Sequence, residues 1–235
     1  RRRVDGDVVQ NALRHAGDGV DLGDAVDLVA EKFDADGPAR PVGGVDLERI
    51  AAHAEDVPEI QTALTACRAV GPENGGHGEG AKAGLIEKWL RDMGISGIKH
   101  VDAPDGRVPG GKRPNLIATI PGRSSRSLWL FAHMDVVPEG DPALWNTDPW
   151  KVTRKGDMLY GRGVEDNQQG LTSMLLLARA LTEAGATPEL TVKLVFMSDE
   201  ECGNTKGLGY MLGTRPELFP KDDLYIVPDG GSPDG

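Results

Sequence analysis

Three apolar runs of strand length in this chain each end in residues that bind cations. Leu128-Trp129-Leu130-Phe131-Ala132 leads directly into His133-Met134-Asp135. The run from Leu190 to Met197 leads into Ser198-Asp199-Glu200-Glu201, and Leu224-Tyr225-Ile226-Val227 into Pro228-Asp229. Runs so short and continuous read as strands buried on both faces. Between the first two lies a helical pattern from about Gln169 to Ala184, with Leu171, Leu175, Ala178 and Leu181 on one side and Gly185 placed to cap its end. Strand alternating with helix predicts an α/β fold, a three-layer arrangement with helices on both faces of one sheet. Open sheets of this kind take ligands at the carboxyl ends of their strands, and the polar residues fall there.

The other elements are consistent with this. Asn115 to Ile120 is a further strand; Asp46 can cap a helix running to about Ala69; Ala81 to Met93 forms another, with Leu85, Trp89 and Met93 aligned and Gly94 ending it. Residues 1–45 are acidic and Gly-rich, with two weak amphipathic stretches (Val9, Leu13, Ala16 and Leu22, Val26, Val29, Phe33), and read as an N-terminal extension of unknown role. A Gly/Pro-rich boundary at Pro38 to Gly44 separates them from residues 46–235, which carry the chemistry. Asp34-Ala35-Asp36-Gly37 opens like a calcium loop, but no Glu stands at the twelfth place, so no calcium site is assigned.

Composition excludes several classes. Hydrophobic residues make up 39% and charged residues 27%, enough for a core. Lys+Arg 26 against Asp+Glu 37 leaves a net charge of −11, which repels phosphate backbones and argues against nucleic-acid binding. No apolar stretch approaches the ~18 residues of a membrane span. Cys67 and Cys202 make no disulfide framework, and Arg1-Arg2-Arg3 is not followed by an apolar segment, so a cytoplasmic location is expected. The chain has no initiator Met and stops in a Gly/Pro/Asp-rich turn at Gly235, so it reads as a piece of a longer protein.

The strand-end residues suggest a metal centre. Two carboxylates ~4 Å apart repel by about 4 kcal/mol at an effective dielectric of ~20, and several would share one pocket. Divalent cations remove that conflict, and imidazole plus carboxylates is a donor set they accept. His133 and Asp135 are two apart, so on an extended strand they point the same way and Asp135 can hold the distal ring nitrogen. Asp166 follows the Gly161-Arg162-Gly163 turn and precedes a helix. Glu200 and Glu201 are adjacent and would diverge, one ligating and the other facing a substrate water; spacing leaves open which does which. Each feature alone has a plainer reading: a chance His-x-Asp, a solvated acidic turn, an acid at a helix start, a turn residue before Gly230-Gly231.

Taken in order, Phe131-Ala132-His133-Met134-Asp135-Val136-Val137-Pro138, Tyr160-Gly161-Arg162-Gly163-Val164-Glu165-Asp166, Asp199-Glu200-Glu201 and Pro228-Asp229-Gly230 resemble the M20 metallopeptidases. That family includes succinyl-diaminopimelate desuccinylases, acetylornithine deacetylases, aminoacylases and dipeptidases. Trp145 and Trp150 match its aromatic loop, and the resemblance covers roughly Glu59 to Gly235. It implies a zinc-exopeptidase-like catalytic domain, incomplete here, holding two divalent metal ions, zinc first, with cobalt or manganese as alternatives. It also implies hydrolysis of an amide in a dipeptide or N-acyl amino acid. Carried over, His133 and Asp229 bind the first metal, Asp166 bridges, Glu201 binds the second, Glu200 is the general base and Asp135 orients His133. The family's bridging aspartate precedes a cis peptide, which points to Asp166–Asn167. An Asp at position 229 leans towards dipeptidases and aminopeptidases.

The departures also carry expectations. The family's last metal-binding histidine has no counterpart, and His15, His53, His77 and His100 stand in the wrong order to replace it. The lid domain that helps to bind substrate and to form a homodimer is missing. Asn167-Gln168-Gln169 replaces the Met-Lys-Gly of many relatives, and Cys202 needs no role. The alternative to an enzyme is a non-catalytic binding module that keeps the fold without completing the second metal site.

Overall fold

The computed structural model describes Val20–Asp21 and residues 52–229; the expected extension, the calcium-like stretch and the Asp46 cap lie outside the described residues, apart from the short strand β1 (Val20–Asp21). A turn of 3₁₀ helix at Ala54–Asp56 leads into α1 (Val57–Ala66), with Pro58 in its first turn, where the missing N–H costs nothing. Next come α2 (Gly80–Asp92), β2 (Ile98–His100), β3 (Ala103–Pro104), β4 (Lys112–Arg113), β5 (Leu116–Ile120) and β6 (Ser127–His133). The hairpin β7 (Thr153–Lys155) and β8 (Met158–Tyr160) precedes α3 (Gln168–Glu183), then β9 (Thr191–Met197), α4 (Leu208–Thr214) and β10 (Leu224–Ile226).

Five strands form the central sheet in the order β10-β6-β9-β5-β2. β10, β6 and β9 run parallel, with Phe131 opposite Val195 and His133 opposite Met197. β5 and β2 complete the sheet antiparallel to their neighbours. This mixed sheet, with helices packed on it, is the predicted α/β architecture.

Alternation along the strands divides the core. Leu116, Ala118, Leu130, Ala132, Leu194 and Phe196 face the long helices, against Leu64 of α1, Ile86 and Leu90 of α2, and Leu171, Met174, Leu175 and Ala178 of α3. Ile117, Trp129, Phe131, Val195 and Met197 face the other way, onto Met211 of α4 and the partly buried Phe219. That second layer is thin, built from one short helix and an aromatic group in which Trp129 and Phe219 stand 5.0 Å apart. All seven residues of β6 are buried, which explains its unbroken apolar character.

Two helix ends show why the sequence stops them where it does. Gly185 has φ +58°; its N–H bonds Thr182 O at 3.0 Å and Ala186 N–H bonds Leu181 O at 3.0 Å, closing α3 in a Schellman motif. Gly94 ends α2 in the same way, with φ +84° and the paired bonds to Arg91 O and Leu90 O. The helix expected from Asp46 to Ala69 is shorter where described: Pro58 sets its start and Cys67, at ψ 80°, ends it.

Candidate metal centre

The parallel strands and the start of α3 bring the expected residues to one edge of the sheet. His133 ends β6 and is buried; Asp229 follows β10; Glu200 and Glu201 sit in the turn after β9; Asp166 stands two residues before α3. His133 Nε2 lies 2.8 Å from Asp166 Oδ1, 3.8 Å from Asp229 Oδ2 and 3.9 Å from Glu200 Oε2. The Asp166–Asn167 peptide bond is cis.

The tautomer of His133 follows from its other nitrogen. Nδ1 is 3.0 Å from the main-chain oxygen of Asp135, which can only accept, so Nδ1 carries the proton and Nε2 is directed at the carboxylates. The sequence reading gave that hold to the Asp135 carboxylate. In the structure the carboxylate is 3.6 Å from Nδ1, and it takes the backbone N–H groups of Glu200 at 3.1 Å and Glu201 at 3.0 Å. Asp135 therefore ties the end of β6 to the turn after β9 through its side chain, and orients the imidazole through its main chain.

Burial and neighbouring charge move the acids and the imidazole of this cluster away from their ordinary ranges. Burial and then the neighbouring charge of Asp166 push the Glu201 carboxyl up to about 7. Burial also raises Glu200, with His133 opposing and Asp229, Asp135 and Asp166 adding to the rise. Burial disfavours the His133 imidazolium, but Asp135 and Asp166 outweigh it and hold its pKa well above the ordinary value. Burial leads the rise of both glutamates, and the neighbouring carboxylates add to it.

His133, Asp166 and Asp229 each offer a ligand atom, all within 4.8 Å of one another. One imidazole and two carboxylates fit an intermediate divalent cation such as zinc. Glu201 lies outside that compact trio, though close enough to Asp166 to feel its charge.

Two glycines let the parts approach. Gly163 has φ +82°, and a Cβ there would come within 2.6 Å of Val136 Cγ1. Gly170, in the first turn of α3, lies against Ala132, and a Cβ would stand 3.2 Å from that residue's own Cβ. Asn167 caps α3 by accepting Gly170 N–H at 3.1 Å.

Around the centre, Trp145 and Trp150 each meet an arginine: Arg162 lies 5.2 Å from the Trp145 ring and Arg68 4.9 Å from the Trp150 ring. Cys202 is no activated thiol, since burial and nearby Glu73, Asp135 and Asp199 push it up to about 11. Sequence reasoning missed the buried groups behind the centre, Glu79, Lys82, Arg113 and Asn115. Glu79 stands at the N-cap position of α2, Lys82 lies within it, Arg113 ends β4 and Asn115 follows in the segment joining β4 to β5, and no local pattern marks them.

The family model for Peptidase family M20/M25/M40 matches residues 129–235, which include every one of these ligating candidates. The chain belongs to the M20 peptidase family. This M20 chain is 38% identical over 186 residues to an uncharacterized metallohydrolase of Methanocaldococcus jannaschii, across 77% of the chain and 45% of that relative. It is 32% identical over 157 residues to a cysteinylglycine-S-conjugate dipeptidase of Corynebacterium striatum, across 66% of the chain and 32% of that protein. The M20 chain therefore spans about half or less of the length of the curated relatives it matches. Its fold resembles that of a solved dipeptidase from Saccharomyces cerevisiae, with a TM-score of 0.63 at 21% identity over 78% of the chain and 40% of that protein. No helix among the described residues is long and apolar enough to cross a membrane.

Proposed function

We propose that the protein carrying this chain is a metal-dependent hydrolase that cleaves the amide bond of a dipeptide or N-acyl amino acid. The observation that carries the reading is the position of Glu200: its Oε2 is 3.9 Å from His133 Nε2, on the rim of the imidazole–carboxylate trio, with its carboxyl raised by burial. Glu200 stands outside the three residues whose ligand atoms lie within 4.8 Å of one another, which favours moving a proton beside a cation over ligating it.

In this reading His133, Asp229 and Asp166 would hold a divalent cation, zinc for preference, and Asp166 with Glu201 would contribute ligands to a second. Bound cations of this kind lower the pKa of water towards ~7 and polarise a carbonyl oxygen. Glu200 takes the water proton on Oε2 and delivers it to the leaving amine nitrogen. Asp135 keeps the proton on His133 Nδ1, so that Nε2 offers its lone pair. Arg162, stacked on Trp145, lies close enough to Glu201 and Asp166 to feel their charge. The substrate class is supported by the matched relatives, named as a cysteinylglycine-S-conjugate dipeptidase and succinyl-diaminopimelate desuccinylases.

The test is a screen of the intact, zinc-loaded protein against dipeptides and N-acetyl or N-succinyl amino acids, with metal counted by elemental analysis. Glu200→Gln is expected to lower kcat by about 10²–10⁴-fold while bound metal stays at the wild-type level. Full activity in Glu200→Gln rejects the base assignment. Bound metal with no hydrolysis of any amide by the wild type would favour a binding module.

A further inference from the structure

The turn that carries Glu200 and Glu201 is held at every main-chain nitrogen by a side chain from elsewhere. Ser198 N–H donates to Asn115 Oδ1 at 3.0 Å, Asp199 N–H to Glu79 Oε1 at 3.2 Å, and Glu200 and Glu201 N–H to the Asp135 carboxylate at 3.1 and 3.0 Å. Asp135 belongs to the centre already described; Glu79 and Asn115 do not. Asp199 is a non-glycine residue at φ +64°, a backbone conformation that persists only where the surroundings over-determine it. Its carboxylate supplies part of that determination, accepting Lys206 N–H at 2.8 Å and the Thr205 hydroxyl at 3.2 Å.

Glu79 is in turn fixed by Arg113, and both side chains are fully buried. Arg113 grips it as a fork: Nε donates to Oε2 at 2.6 Å and Nη2 to Oε1. Arg113 Nη1 reaches Asp199 Oδ1 at 3.4 Å and faces Glu73 and Asp105 at 3.5 and 3.7 Å. One guanidinium thus balances three buried acids, Glu79, Asp105 and Asp199, and the more exposed Glu73, while aiming Glu79 at the Asp199 amide. For buried charge this arrangement is costly unless each member is satisfied, and it is assembled behind the two glutamates rather than in the hydrophobic layers.

We propose that Glu79 and Arg113 are positioning residues, which set the place of Glu200 and Glu201 by clamping the Asp199 turn from behind. The inference rests on the hydrolase reading for its catalytic consequence, and on the hydrogen bonds alone for its structural one. A displacement of about 1 Å at a reacting group costs on the order of 10²-fold in rate, so a clamp acting on the main chain is felt in turnover.

The experiment uses the intact protein with zinc. Glu79→Gln keeps an oxygen for Asp199 N–H but sets an amide nitrogen against the Arg113 fork. It should lower kcat by about 10–100-fold with KM within about threefold. Hydrogen exchange read by mass spectrometry should speed up about tenfold or more at residues 198–201, with Leu171–Leu181 of α3 unchanged. Arg113→Lys, which keeps the charge and loses the fork, should show the same pattern and serves if Glu79→Gln does not fold. Wild-type exchange at 198–201 in either variant, or a loss confined to KM, overturns the proposal. Equal loosening of the turn and of α3 in both variants also overturns it, since that marks a purely structural role. If no amide substrate is found for the wild type, the hydrolase reading fails, and the exchange arm still decides the clamp.

Discussion

Asp135 holds Glu201 by its main chain: one carboxylate oxygen accepts the Glu201 N–H at 3.0 Å, and the other takes Glu200 N–H at 3.1 Å. An Asn can accept with one oxygen only, so Asp135→Asn leaves a buried N–H facing an amide nitrogen, at a cost of about 1–3 kcal/mol. The melting temperature should fall by roughly 2–12 °C, taking about 2–4 °C per kcal/mol for a domain of this size. Zinc affinity should fall by about 10–100-fold, read by competition with a chromogenic chelator. Unchanged affinity and melting would mean that these bonds do not shape the centre.

The fold was legible where one periodicity served one purpose. Leu128–Ala132 of β6 and Leu194–Met197 of β9 are apolar without a break because both faces are covered there, and α3 repeats its apolar residues because it packs on the sheet. The glycines that end α2 and α3 read directly as C-terminal caps. The antiparallel β2, the β7–β8 hairpin and the short α4 were not legible: Ile98–His100 is largely exposed, and Leu208–Thr214 buries only Met211. The site was legible because the carboxyl ends of three parallel strands collect the polar residues into one place. Arg113 was not, since its partners Glu79 and Asp199 lie 34 and 86 residues away, and buried pairing at that separation leaves no spacing signal. The Asp135 carboxylate does stand beside His133, 3.6 Å from Nδ1, while its main-chain oxygen lies closer at 3.0 Å, a division within one residue that spacing cannot show.

Zinc should stabilise the chain by mass action, because the trio forms only in the folded state. At a free concentration about 100 times Kd the gain is about 2.7 kcal/mol, or roughly 5–11 °C in melting temperature. Differential scanning fluorimetry after chelation, with and without zinc, measures it. His133→Ala and Asp229→Ala should each abolish most of the shift, because each removes one of the ligand atoms that lie within 4.8 Å of the others. A full zinc shift in both variants would place the cation elsewhere.

Lys82 should make stability depend on pH in the alkaline range. Its Nζ is buried without a hydrogen-bond partner among the described residues, and burial, partly offset by Asp135, Cys67 and Glu79, lowers its pKa from 10.5 to about 8. Between about 8 and 10.5 the unfolded chain holds the proton more tightly than the folded one, so stability climbs with pH across that window. Below about 8 both states carry the charge, and the folded state bears the whole penalty, on the order of 3 kcal/mol. Lys82→Met should therefore be the more stable protein at pH 7, with its advantage narrowing towards pH ~10. Urea melts of the chelated protein at several pH values check this; parallel pH profiles for the two proteins would reject it.

Gly170→Ala puts two principles in opposition. Helix propensity alone favours Ala over Gly by about 1 kcal/mol inside a helix. Packing opposes it, because a methyl group at this position of α3 would run into the Asn167 side chain that caps the helix and would press on Ala132 and the Pro228 carbonyl. Those residues belong to the cap beside Asp166, to β6 and to the approach to Asp229, and each backs onto the centre. A rigid first turn cannot yield without shifting Asp166, so packing should win. The substitution should lower the melting temperature by several degrees, for a cost of about 1–3 kcal/mol from overpacking. It should weaken zinc binding as well, measured by the same chelator competition. A more stable Gly170→Ala protein with unaltered zinc affinity would show that α3 has room to move away from the sheet at this end.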